Sequence, residues 1–368
     1  MEENSIGSLI KMKAVILCAG YGTRLKPLTN TVPKPLVKIM GIPLVEYTIG
    51  LLINSGIKDI YINRHHLSEE FDNLCIPEGV NIEFSYESQI LGTSGGILSF
   101  QEKLRDDDFL VINGDIIFNL DLDELIATHK KSKKIATMVL KNKDNNSVTS
   151  VFKDAFSNVV NIGGVNEGVY QELMFAGIHI LGPEFFNIVQ RTDPPSCVVK
   201  DFYIPYIQNG GKVGAYVLDE NKGSFWQEIG TLKQYLECNL WMIRSANELS
   251  LKGFYELFIN EYWEGLIDVE TVTEVVEGIW LGDNVIIDPT ATLIQPVFIG
   301  PGTTIRKGSV VGPNVILDTD VTIGENAVVT ESVILDKALI KDYTTINKMV
   351  VSDKFRYRAY TNMHSKTY

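Results

Sequence analysis

Apolar residues recur every six positions near the C-terminus: Leu281, Ile287, Leu293, Ile299, Ile305, Val311, Leu317, Ile323, Val329 and Leu335. A second register of small or branched residues runs through Val285, Ala291, Val297, Thr303, Ser309, Val315, Val321, Ala327 and Val333, and Gly282, Gly300, Gly312 and Gly324 follow the first register at turns. Ten positions held in one register make a true repeat. It predicts a β-helix, in which short strands stack and each coil buries its inward residues against its neighbours.

Upstream the pattern changes to short branched runs alternating with amphipathic stretches. Strands are predicted at Ala14–Cys18, Asp59–Ile62, Ile82–Ser85, Phe109–Ile112, Ala136–Leu140, Phe175–Ile180 and Val213–Val217, and helices at Val45–Ser55 and Leu122–Lys131. Such alternation predicts a mostly parallel α/β sheet. From Tyr235 to about Glu277 the chain is helix-prone, with Leu236, Leu240, Leu249, Tyr255 and Phe258 as core candidates. Residues 1–11 read as a loose extension.

At 368 residues the chain predicts two domains rather than one core. Its formal charge of −13 opposes binding to nucleic acid or an anionic membrane, so an anionic ligand would have to be handled locally. Cys18, Cys75, Cys197 and Cys238 form no Cys-x-x-Cys pair and read as free core thiols of a reducing compartment. With no apolar run of membrane-spanning length and no signal-peptide pattern, a cytoplasmic location is expected.

The candidate chemistry begins where the first strand ends. Val15-Ile16-Leu17-Cys18-Ala19 leads into Gly20-Tyr21-Gly22-Thr23-Arg24 and on to Pro33-Lys34-Pro35-Leu36. Gly20 and Gly22 would let backbone N–H groups approach an anion, while Arg24 and Lys34 supply the full charges that N–H dipoles lack. A dinucleotide fingerprint would need glycine where Leu25 stands, and a Walker A loop needs Gly-Lys-Ser/Thr, which is absent. The stretch therefore predicts a nucleoside triphosphate cradle. Asp115 follows Asn113-Gly114 at the end of another predicted strand, where ligands of α/β sheets gather.

At these residues the chain resembles the sugar-1-phosphate nucleotidylyltransferases, in particular the mannose-1-phosphate guanylyltransferase branch and its relatives acting on N-acetylmuramate or heptose 1-phosphates. The likeness continues through Leu91-Gly92-Thr93-Ser94-Gly95-Gly96, Asn113-Gly114-Asp115, Phe175-Ala176-Gly177-Ile178 and Trp226-Gln227-Glu228-Ile229-Gly230-Thr231. It implies a mostly parallel Rossmann-like nucleotidyltransferase sheet over 1–245, a helical linker over 246–278, a left-handed β-helix over 279–350 and a tail over 351–368. Three hexads per coil, as in hexapeptide proteins, would make about three to four coils. An acyltransferase reading of those coils lacks a general base, since 279–350 contain no His. A scaffold that holds a homo-oligomer together is expected instead.

By the same resemblance, Arg24, Lys34 and Asp115 are catalytic. Leu17, Ala19, Gly20, Gly22, Thr23, Gly92, Thr93 and Asn113 meet the nucleotide, and Ala176 and Gly177 line the sugar. Asp115 and Glu228 hold Mg2+, with Glu228 standing where relatives show Asp. Magnesium suits few carboxylates, because phosphate oxygens and water complete its shell. The expected reaction joins a nucleoside triphosphate to a sugar 1-phosphate with loss of pyrophosphate. The first choice is GTP with mannose 1-phosphate, the alternatives being a muramate or heptose enzyme or a weakly catalytic regulator that binds nucleotide-sugars. Relatives carry a Glu-Lys pair before the sugar-lining strand, whereas this chain reads Asn161-Ile162-Gly163-Gly164-Val165-Asn166-Glu167, and Lys200-Asp201 is a substitute source of the cation. Read from the residues alone, Gly92–Gly96 also fits a helix start capped by Thr93 or Ser94, a reading compatible with a contact to the base. His65-His66, without a third ligand, reads as a hydrogen-bonding pair or a wall of the site.

Overall fold

The computed structural model describes residues 12–74, 76–143, 149–164, 168, 170–190, 192–219, 224–245 and 273–359. The chain divides into two compact units, the first made of residues up to Tyr21, Thr31–Leu36 and Leu44–Gln227, the second of Gly22–Asn30, Val37–Pro43 and Glu228 onward. The expected helical linker, with Leu249, Tyr255 and Phe258, lies mostly outside the described residues, as do the N-terminal extension and Cys75.

The first unit is built on β1 (Lys13–Leu17), α1 (Leu44–Asn54), β2 (Asp59–Arg64), β3 (Asn81–Tyr86), α2 (Gly92–Leu98), β4 (Phe109–Asn113), β5 (Ile116–Asn119), α3 (Leu122–Ser132), β6 (Ala136–Lys141), β7 (Val151–Lys153), β8 (Asn158–Ile162), β9 (Gln171–Leu181), β10 (Val213–Val217) and β11 (Phe225–Glu228). Nine strands form one sheet in the order β3-β2-β1-β4-β9-β6-β10-β8-β7, while β5 pairs with β11. Every strand and helix expected in this unit is present, with ends shifted by a few residues. Apolar side chains explain why: Ala14, Val15, Ile16, Leu110, Val111 and Ile112 have no exposed surface, as befits central strands covered on both faces.

The sheet is mixed, which corrects the mostly parallel expectation. β3, β2, β1 and β4 run parallel to one another, and β6 runs parallel to β10. β9 is antiparallel to both β4 and β6, and β7 and β8 form a hairpin. A parallel return needs a crossover long enough for a helix. Between β6 and β9 the described residues contain only the hairpin, so β9 comes back in the opposite sense.

In the second unit, four coils stack as three parallel ladders. Each coil advances 18 residues at first, since Ile279 pairs with Val297 and Val297 with Val315. The next step is 17, because Val315 pairs with Ser332 and Leu317 with Ile334. The strict six-residue register therefore breaks after Val329: Ile334, not Leu335, takes the core position below Leu317, and Ile340 and Ile346 follow it inward. The residue is lost at a turn where Glu331 adopts φ 43°, and turns tolerate a deletion that a buried ladder would not. An antiparallel strand closes each end of the first ladder, Thr273–Val276 and Arg356–Arg358. α4 (Leu232–Ser245) packs on that same ladder, buries Leu236 and Leu240 and belongs to the second unit.

Candidate active site

The candidate residues fall into two groups, one in each unit. In the first unit, β1, β2 and β4 end together: Leu17 pairs with Asn63 on one side and with Asn113 on the other. Gly114 extends the row, its N–H donating to the Leu17 carbonyl at 2.9 Å. A Cβ there would come within 2.6 Å of Cys18 Sγ and 2.9 Å of Leu17 O, so only glycine lets the two strand ends close up. Asp115 follows at this carboxyl edge, and its Oδ2 accepts from Lys34 Nζ at 2.7 Å. The Lys34 side chain is only 11% exposed, so the pair sits in a partly desolvated place where the ammonium retains much of its field. The Cys18 thiol is pushed well up by burial, with the Asp115 charge adding to the effect, and stays a neutral neighbour.

Gly20 is not held in a left-handed conformation, and a Cβ on it would meet nothing within 4 Å. The space over Ala19-Gly20 is therefore open, which suits a ligand more than a packing requirement. Tyr21, 52% exposed, leans edge-on to His65 with ring centroids 5.1 Å apart. His65 Nδ1 lies 2.7 Å from the Glu87 carbonyl; an acceptor there puts the proton on Nδ1.

Gly92 has φ +78°, and a Cβ on it would collide with the backbone of Ser196. Thr93 does not cap α2. Its Oγ1 accepts from Val198 N at 2.8 Å, and Ser94 Oγ is buried without a partner, so the helix start at Gly92 is present but neither residue caps it, and its first turn is pinned on residues 196–198. Gly177, at φ +74°, lies against the Asn113 amide, where a Cβ would fall 2.7 Å from Nδ2. Trp226 Nε1 donates to the Ala176 carbonyl at 2.8 Å, and Lys141 Nζ stands 4.6 Å from the Trp226 ring centroid. Sequence reasoning missed Lys141, which ends an apolar strand yet is only 6% exposed. Nothing in the sequence marked it, because its burial is set by tertiary packing. Lys200 is exposed and Asp201 is occupied by Cys197 N and Thr192 Oγ1, so that dipeptide braces its own turn.

In the second unit, Gly22 at φ 58° opens a short 3-10 turn, Thr23–Leu25, and its carbonyl accepts from Thr29 Oγ1 at 2.9 Å. Leu25 is fully buried, anchoring the turn, while the Arg24 side chain is 66% exposed and reaches Glu228 Oε1 at 2.9 Å. Glu228 thus ends β11 with its carboxylate held by an arginine. Gly230 lies close beside the pair, since a Cβ there would come 3.0 Å from Glu228 Oε1 and 3.4 Å from Arg24 Cζ. Among the described residues no cluster of three or more His, Cys, Asp or Glu is arranged to hold a metal.

An open glycine loop leaving β1 and a lysine–aspartate pair at the carboxyl end of β4 place the first unit among the α/β proteins that gather phosphate-rich ligands at this edge. The Nucleotidyl transferase family model matches residues 13–244, and the GMPPB C-terminal domain model matches 293–367. A mannose-1-phosphate guanyltransferase of Yarrowia lipolytica is 30% identical over 290 residues, covering 77% of this chain and 73% of that protein. A UTP–glucose-1-phosphate uridylyltransferase of Synechocystis is 28% identical over 318 residues, 79% of each chain. A Bacillus anthracis structure described as a glucose-1-phosphate thymidylyltransferase superposes with a TM-score of 0.53 at 19% identity, over 62% of this chain and 94% of that one, and shares the fold. The chain belongs to the sugar-1-phosphate nucleotidylyltransferase family.

Proposed function

We propose that the protein condenses a nucleoside triphosphate with a sugar 1-phosphate, and that the pair is GTP and mannose 1-phosphate, giving GDP-mannose and pyrophosphate. The observation that carries the reading is the Lys34–Asp115 pair at the carboxyl edge beside Asn113-Gly114. The guanyltransferase relatives support the choice of base and sugar.

A sugar 1-phosphate oxygen is already anionic near neutral pH, so it attacks the α-phosphorus without a general base. The new P–O bond forms as the bond to the β-phosphate oxygen breaks, and pyrophosphate leaves with the electron pair. The barrier lies in charge repulsion and alignment. Lys34 and Arg24 answer the first by neutralising the triphosphate and the departing pyrophosphate. The Gly92–Thr93 loop and the Ala176–Gly177 strand answer the second by fixing base and sugar. Asp115 and Glu228, each beside one cation, would offer hard carboxylate oxygens to Mg2+, which would neutralise phosphate charge. The coil stack is taken as left-handed, and its outer face as the homo-oligomer contact.

The test is a substrate panel: GTP, UTP, ATP, CTP and dTTP against mannose, glucose, N-acetylmuramate and heptose 1-phosphates, with nucleotide-sugars resolved by mass. GDP-mannose as the dominant product supports the assignment. A different pair moves it within the family, and binding without product in any combination supports a regulatory role instead.

A further inference from the structure

We propose that Glu87 is the positioning residue of the nucleotide site: a buried carboxylate that fixes the separation between the loop leaving β1 and the loop opening α2. The proposal rests on the nucleotide-binding reading above. Glu87 follows β3 and is 2% exposed. Its Oε1 accepts from Asn63 Nδ2 at 2.7 Å and its Oε2 from Leu91 N at 2.8 Å. Asn63, 3% exposed at the end of β2, uses its other amide atom, Oδ1, to accept from Cys18 N at 2.8 Å. An unbroken chain of hydrogen bonds thus runs from Cys18 through Asn63 and Glu87 to Leu91, and its ends are the residues just before Ala19-Gly20 and Gly92-Thr93.

The carboxylate is fixed at its own backbone too. Glu87 N donates to the Arg64 carbonyl at 2.9 Å, and the Glu87 carbonyl meets His65 Nδ1 at 2.7 Å. α2 lies close over this relay, because Gly96 carries no Cβ; one there would fall 2.5 Å from Asn63 Nδ2 and 3.0 Å from Leu17 Cδ2. Packing alone would hold the loops near each other. A carboxylate that takes two donors along fixed lone-pair directions sets their separation far more sharply, because a short charge-assisted bond weakens steeply when stretched or bent. Asparagine at position 63 is equally specific, since one amide must face a donor with oxygen and an acceptor with nitrogen. The family reading gave Glu87 no role; the two loops it joins are those assigned to phosphates and base.

Glu87→Gln tests this with little change of volume. Glutamine accepts with one atom only, so its amide NH2 faces either Asn63 Nδ2 or Leu91 N as donor against donor. The expected result is a weakening of triphosphate binding by about tenfold or more, read by calorimetry on the full chain without sugar phosphate, with KM for the sugar 1-phosphate within twofold. Asn63→Ala should produce a similar loss, and the double variant should lose little beyond either single one, since all three break the same chain. Losses that add, equal rises in both KM values, or a fall in thermal midpoint with unchanged triphosphate affinity each overturn the proposal. Wild-type protein that binds no triphosphate overturns the nucleotide reading and this inference with it, whereas wild-type binding with unchanged Glu87→Gln affinity overturns the inference alone.

Discussion

Asp318 offers the sharpest energetic test of the second unit. It follows the inward Leu317 and is 4% exposed, with Asp336 nearby and Tyr235 of α4 buried beside it. Lys38 bonds Asp336 at 2.9 Å, and Asp336 also accepts from Thr319 N, so the lysine is engaged mainly with the outer carboxylate. Burial first, and the Asp336 charge second, push the Asp318 carboxyl from 3.8 up to about 7, with Lys38 opposing. A raised acid is protonated in the folded state at pH values where the unfolded chain has released its proton. Folding stability attributable to Asp318 therefore falls as pH rises through the window from about 4 to 7, at up to about 1.4 kcal/mol per pH unit. Between pH 5 and pH 8 the linkage amounts to a few kcal/mol. Asp318→Asn keeps the shape and removes the titration. Urea unfolding of both proteins at pH 5, 6, 7 and 8 should show the variant gaining a few kcal/mol on wild type across that range. A difference between the two that stays flat within about 0.5 kcal/mol would refute the reasoning.

Other substitutions separate chemistry from scaffold. Arg24→Ala breaks an exposed ion pair, a kind worth about 0–1 kcal/mol, so thermal stability should barely move while kcat/KM falls by about a hundredfold or more; equal small effects on both would remove Arg24 from the mechanism. Lys141→Met keeps the stem against Trp226 and deletes the charge, and is expected to raise KM for the sugar 1-phosphate about tenfold with triphosphate KM unchanged, as steady-state kinetics would show. Ile286 and Leu339 are 64% and 56% exposed at the two edges of one outer ladder, where Thr304 and Thr322 complete the row. Replacing both with Lys should reduce the molar mass seen by light scattering if that face joins copies of the chain.

The fold was legible wherever burial alone dictated the pattern. Val15, Ile112 and Val139 sit in strands covered on both faces, and branched apolar runs admit few other readings. The sense of β9 was not legible, because Phe175–Ile180 looks the same run in either direction and only the missing crossover decides it. The coil register failed after Val329 for a related reason: Val333 and Leu335 are apolar and fit the six-residue rule, yet the deletion lies in polar turn residues that leave no mark on periodicity. At the site, Lys34 and Asp115 announced themselves by motif, and the structure pairs them. Glu87 and Lys141 carried no motif. A charged residue's burial is set by tertiary packing, so neither could be told from a solvated one before the sheet was assembled.

Proximity of cations to carboxylates is common on protein surfaces; transfer of a nucleotidyl group is not. The decisive measurement follows pyrophosphate and nucleotide-sugar together, with GTP, mannose 1-phosphate and magnesium, for wild type and Asp115→Asn. The account predicts equal amounts of both products from wild type and a loss of at least about a hundredfold in the variant, with GTP still bound. Pyrophosphate without nucleotide-sugar, or an Asp115→Asn protein as active as wild type, would contradict it.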